Sequence, residues 1–267
     1  MQFEKLTYND LGEIKHLQPE GWSDIVSEFK SYINHDFCHP AKTKLDNKIV
    51  GIGTSIIFGK TGWLAHIIVD KEYRNKGIGY QIVVTLLEDI RNQGIKTYLL
   101  VATELGMPVY KKTGFKNVAE YLYLKREKPW IEFPVSANVV PYQNKYYHMI
   151  IGLDIKISGE DRERLIKEYL DNSMIYIKNK EVKGYFLPDL GEGLICANTD
   201  YAGLELMKIK YSRIDKAVLP YDNTTGIEFL KQNGFIETDT KGTRMILGNS
   251  IDWKPEMIFS RIGGNYG

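Results

Sequence analysis

The stretch Asp70-Lys71-Glu72-Tyr73-Arg74-Asn75-Lys76-Gly77-Ile78-Gly79 constrains this chain more than any other. An apolar, strand-like run (63–69) leads into it. After it, Ile78, Ile82, Val83, Leu86, Leu87 and Ile90 recur at helical spacing until Gly94. A strand that passes through two glycines into a helix builds an anion site. Its backbone N–H groups come close to a phosphate, and the helix terminus adds roughly half a positive charge. Arg74 and Lys76 bring full charges to the same place. The turn is not a P-loop, because no Gly-Lys-Ser/Thr follows, and the three-glycine dinucleotide pattern is absent. A pyrophosphate is the expected ligand.

Two further landmarks flank the turn. Downstream, Thr97-Tyr98-Leu99-Leu100-Val101-Ala102-Thr103 reads as a buried strand. It is followed by Glu104-Leu105-Gly106-Met107-Pro108-Val109-Tyr110-Lys111-Lys112-Thr113-Gly114-Phe115, a short helix carrying a tyrosine, with Gly-Phe opening the next strand. Upstream, Lys48-Ile49-Val50-Gly51-Ile52-Gly53-Thr54 reads as the preceding strand. In this order the three segments resemble the GNAT-type N-acetyltransferase family, whose acyl-CoA motif is R/Q-x-x-G-x-G/A, here Arg74 to Gly79.

A repeat accompanies the motif. Glu181-Val182-Lys183-Gly184-Tyr185-Phe186 echoes the strand around Gly51, and residues 219–235 echo 103–115. Aligned on the Gly-Phe pairs, Leu230 stands where the first half has Tyr110, and Asn223 where it has Thr103. Ser158-Gly159-Glu160-Asp161 reads as a capping-box start to a helix over 162–170. The second half has no R-x-x-G-x-G turn, and Asp200 puts a carboxylate in the corresponding region, so this copy is expected to have lost CoA.

The resemblance implies an α/β (α+β) fold of two tandem GNAT-like domains. Each is a mixed, mostly antiparallel sheet flanked by helices, and the N-terminal one has splayed CoA-binding strands. The expected boundaries are a catalytic domain over 1–127, a linker over 128–145 containing Pro129, Trp130, Pro134 and Pro141, and a degenerate domain over 146–267.

Composition limits the partners. A net charge of +1 gives no basic excess of the kind that binds nucleic acid. No apolar run approaches the roughly 18 residues that span a bilayer, and the N-terminus shows no basic segment followed by an apolar one, so no membrane partner, no signal peptide and a cytoplasmic location are expected. Cys38 and Cys196 do not make a disulfide framework and read as buried structural thiols. No metal ligand set is expected, and the oligomeric state is open.

The chemistry follows from the resemblance: an acetyl group passes from acetyl-CoA directly to a primary amine in a ternary complex, with a small-molecule acceptor favoured. Arg74, Asn75, Lys76, Gly77, Ile78 and Gly79 would bind the pyrophosphate. Ile67, Ile68 and Val69 would pair with the pantetheine arm as an added strand, with a main-chain N–H near Ile67 as oxyanion donor. Thr103, where the family often has Asn, would hold the arm by its hydroxyl, and Tyr110 would protonate the leaving thiolate. His66 falls on the face opposite Ile67 and Val69 and reads as a structural histidine. Glu20, Asp36 and His39 lie on the acceptor side, and none stands out as a base. Two alternatives remain open at this level: a non-catalytic acyl-CoA sensor, and a transferase of longer acyl groups.

Overall fold

A computed structural model describes residues 1–127 and 131–267. Pro129 and Trp130, with part of the expected linker, lie outside the described residues. The first half runs β1 (Gln2–Lys5), α1 (Ile25–Asn34), β2 (Cys38–Leu45), β3 (Lys48–Phe58), β4 (Thr61–Val69), α2 (Ile78–Asn92), β5 (Thr97–Ala102), α3 (Met107–Lys112) and β6 (Lys116–Arg126). The second runs β7 (Val139–Pro141), α4 (Tyr147–Ser158), α5 (Glu163–Ile166), β8 (Met174–Lys178), β9 (Glu181–Leu187), β10 (Leu194–Ala197), α6 (Asp200–Tyr211), β11 (Lys216–Pro220), α7 (Thr224–Gln232), β12 (Phe235–Gly248) and β13 (Ile258–Ser260). Among the described residues no helix is long and apolar enough to cross a membrane.

The chain forms two compact units. The first holds residues 1–117 together with 245–249 and Tyr266, and the second holds the remaining described residues. In the first unit the strands stand in the order β1-β2-β3-β4-β5, and the end of β12 follows β5. The β1–β4 pairings are antiparallel and β4–β5 is parallel. The amphipathic face of α2 (Ile78, Ile82, Val83, Leu86, Leu87, Ile90) packs on Val50, Leu64 and Tyr98 of this sheet. Gly62 permits that approach: a Cβ there would stand 2.6 Å from Ile90 Cγ2.

The last strand of the first unit comes from the far end of the chain. Met245 and Leu247 of β12 join the α2 core, and Asn249 N–H donates to the Lys96 carbonyl at 3.0 Å. Gly248, at φ +89°, lies so close to that carbonyl that a Cβ would be 1.9 Å from it. Residues 1–127 alone lack this strand, which leaves the β5 edge and part of the α2 core exposed. We therefore expect that fragment to show no cooperative thermal transition by circular dichroism. A melt matching that of the full chain would contradict the shared-strand account.

In the second unit β6 pairs antiparallel with β11, from Lys125↔Lys216 to Tyr121↔Pro220, and β12 lies on the other side of β6. A separate five-stranded sheet has the order β13-β10-β9-β8-β7. Leu206, Met207 and Tyr211 of α6 pack there with Phe259, Leu219 and Leu230. Residues 139–141, read from sequence as irregular, pair with β8. The expected capping box at Ser158 is not one. Ser158 is the buried last residue of α4, Gly159 ends that helix at φ +71°, and only a short α5 and a 3-10 turn follow. The serine hydroxyl instead accepts the Glu160 N–H at 3.1 Å, closing the loop after α4.

Candidate functional site

The parallel strands β4 and β5 pair only at their start, through Thr61↔Thr97, Gly62↔Tyr98 and Trp63↔Leu99. Beyond Trp63, β4 continues for six residues to Val69 without a partner on that side among the described residues, and a slot opens between the strands. Unpaired strand edge offers alternating N–H and C=O groups to an extended ligand. On its other edge β4 is held by β3, with an interruption. The register steps from Thr54↔Ala65 to Ile52↔Ile68, so His66 and Ile67 together face Gly53. This is a β-bulge, with His66 at φ +48°. It re-aims the main chain at Ile67, next to the open stretch of the slot. Ile67 and Val69 turn toward α2, as their contacts with the positions of Gly53 and Gly79 show. Ile68 is buried.

The turn after β4 has the geometry and charge that suit an anion. Asn75 and Gly77 take left-handed conformations, φ +60° and +80°, which those two residue types tolerate. Gly77 caps α2 without a side chain in the way, and the N–H groups of Ile78, Gly79 and Tyr80 belong to the first turn, where an α-helix supplies no acceptor. Arg74 ties the turn back to the strand, Nε donating to the Val69 carbonyl at 3.2 Å. Lys76 Nζ lies over the Tyr73 ring, 4.9 Å from its centre, and Lys112 over Tyr80 at 4.8 Å. The buried Asp70 carboxylate nearby is paired with Lys48 at 2.9 Å.

The segment after β5 places Tyr110. Thr103 is exposed, and its hydroxyl accepts the Gly106 N–H at 3.3 Å, bracing the turn into α3. The half-buried Tyr110 ring folds back over Gly106, where a Cβ would stand 2.8 Å from Cε2, and meets Phe115 edge-on at 6.2 Å. Burial pushes the phenol up to about 12, so it stays protonated across the physiological range. Tyr110 lies eight residues past the end of β5, with its hydroxyl available as a proton donor.

His66 points to the other face of the sheet. Its Nδ1 is 2.6 Å from the Tyr32 hydroxyl, and Trp22 meets its ring edge-on at 5.6 Å. Burial lowers it to about 4, so the imidazole is neutral. Nothing in the sequence marked Tyr32 or Gly106, because each matters through a contact made at a distance or a ring folded back onto it. His39 is turned elsewhere. It pairs with Asp89 at 2.8 Å, which raises its proton affinity, beside a cavity of about 730 Å³ also lined by Glu4 and Thr85. Asp89 lies ten residues along α2 from Gly79, about 15 Å, so this cavity is not the mouth of the slot.

The profile of the Acetyltransferase (GNAT) family matches residues 8–115, the segment that holds the slot, the turn and Tyr110. A Bacillus subtilis (strain 168) protein that carries an acetyltransferase name is 31% identical over 102 residues, covering 38% of this chain and 68% of that protein. The chain belongs to the GNAT acetyltransferase family. The N-acetyltransferase YitH, also of B. subtilis, is 26% identical over 120 residues, covering 44% of this GNAT chain, which in turn spans 41% of YitH. A crystal structure of a Pyrococcus horikoshii protein, likewise with an acetyltransferase name, aligns with 100% of this chain and 95% of its own at a TM-score of 0.82 and 20% identity. That likeness extends the fold beyond residue 115 to the whole chain.

Proposed function

We propose that this GNAT protein is an acyltransferase that moves an acetyl group from acetyl-CoA to a primary amine of a small molecule, by direct attack in a ternary complex. The observation that carries this reading is the slot between β4 and β5, which ends in the cationic turn of Arg74 to Gly79. The exposed edge of β4 at Ile67, Ile68 and Val69 suits an arm of amides, and the turn suits a diphosphate. The bulge at His66–Ile67 offers a main-chain N–H to the thioester carbonyl, a contact worth roughly 3 kcal/mol in comparable sites. Tyr110 serves as the acid for the departing thiolate, and Thr103 flanks the arm.

In this reading the second unit binds no CoA. Its counterparts of β4 and β5 are β10 and β11, and β13 lies against both. Ile195 pairs with Ser260 and Cys196 with Ile258, while Arg261 N–H donates to the Val218 carbonyl at 3.2 Å. Asn223, aligned with Thr103, donates from Nδ2 to the Ile258 carbonyl at 2.9 Å. Residues 258–261 thus make the contacts that an added strand would make. Buried Lys210 clamps the segment through Ser260 Oγ at 2.5 Å, and Thr199 caps α6 with its own hydroxyl. Filling of the slot supports the loss of CoA more strongly than the exposed Asp200 carboxylate.

The test is release of free thiol from acetyl-CoA by the purified chain, across a panel of small primary amines and lysine-containing peptides. Amine-dependent release that is strongest with a small amine is expected. Acetyl-CoA binding with no release for any amine would favour the sensor reading instead.

A further inference from the structure

The face of α1 that meets His66 carries one side chain whose chemistry is unaccounted for. Ile25, Phe29 and Tyr32 are its buried residues, with the Phe29 ring 6.2 Å from that of His66. Glu28 flanks this face one turn before Tyr32, since residues four apart are neighbours on a helix. It is half-buried, and among the described residues its carboxylate has no hydrogen-bond or ion-pair partner. Asp24, one turn earlier, is committed: it caps α1 at the Val26 N–H and accepts the Ser27 hydroxyl at 2.6 Å. A carboxylate partly removed from water with no cation beside it is costly, and a cationic ligand would relieve that cost.

We propose that Glu28 receives the ammonium group of the acceptor and takes its first proton, and that Trp22 and His66 contact the acceptor's body. The acceptor class is then a primary amine on an apolar or aromatic frame. This rests on the N-acetyltransferase reading above. Of the two groups at this face that could accept a proton, Glu28 is the stronger. Burial, and then the Asp24 charge, raise its affinity above that of an ordinary carboxylate, whereas burial holds His66 near 4. The ammonium gives one proton to Glu28, which passes it to water. The free amine forms the C–N bond as the C–S bond breaks. The second amine proton, acidified by C–N bond formation, replaces the one that Tyr110 gives to the thiolate. Trp22, 43% exposed, leaves room for an apolar group beside the imidazole.

Glu28→Gln in the full chain tests this, with Glu28→Asp as a second variant. The Gln variant is expected to bind acetyl-CoA as the wild type does. Its kcat/KM for the best amine at pH 7 should fall about 100-fold and recover as the pH nears the amine's own pKa, where solution supplies free amine. Glu28→Asp should retain part of the activity, and amines on aromatic frames should outperform equally basic polar ones. A Gln variant that matches the wild type across the pH range would overturn the assignment while leaving the acetyltransferase reading intact. A wild type that acetylates no amine would remove both.

Discussion

Gly77→Asp is expected to weaken acetyl-CoA binding by about 100-fold or more, while Gly77→Asn stays within about tenfold of the wild type. The pair differs in a single charge. Position 77 has φ +80°, which Asn and Asp both accept at modest cost, and nothing lies within 4 Å of an added Cβ, so neither side chain collides with the protein. The carboxylate would stand at the helix terminus where a diphosphate is to sit. Two unit charges about 5 Å apart at an effective dielectric of 20 repel by roughly 3 kcal/mol, or about two decades in affinity. The cations already present set the direction, because Arg74 and Lys76 favour an anion that Asp would expel. Titration calorimetry of both variants measures this. Equal losses for Asp and Asn would mean that the turn is sensitive to shape alone, and the anion site would be misplaced.

Tyr110→Phe is expected to lower kcat by about 10²-fold or more with little change in acetyl-CoA affinity or melting temperature. The ring would keep its contacts with Phe115 and Gly106, so the variant removes only the proton donor. Because burial places the phenol at about 12, its ionisation lies above the working range. Wild-type activity should therefore not fall through loss of this proton between pH 7 and 10. Gly106→Ala should act in the same direction, since its Cβ, 2.8 Å from Cε2, must move the ring. Steady-state rates at saturating amine decide the matter. A Phe variant with full kcat would remove Tyr110 from the chemistry and leave it as packing.

The sequence showed the features that are local. The strand into the turn and the helix after it are consecutive segments with strong apolar periodicity, and the structure places them within two residues of their expected limits, with Tyr110 on a short helix as expected. Features that depend on a partner strand were not visible. The bulge at His66 exists only in the register against Gly53, and period-2 alternation along β4 alone cannot reveal it. Helix α4 is apolar on several sides, with Ile150, Ile151, Leu153 and Ile157 all buried, so it shows no clean stripe. The filling segment β13 is three residues long and lies beyond the last recognisable repeat element. Glu28 drew no notice because an acidic residue on a helix is ordinary until its burial and lack of a partner are known.

The most direct measurement is a calorimetric titration of acetyl-CoA into the 267-residue chain. One site per chain is predicted, lost in Gly77→Asp and kept in Asn223→Ala, if, as proposed, the first unit's slot takes the ligand while the second unit's slot holds residues 258–261. Two sites per chain, or a single site unaffected by Gly77→Asp, would contradict that assignment of the slots.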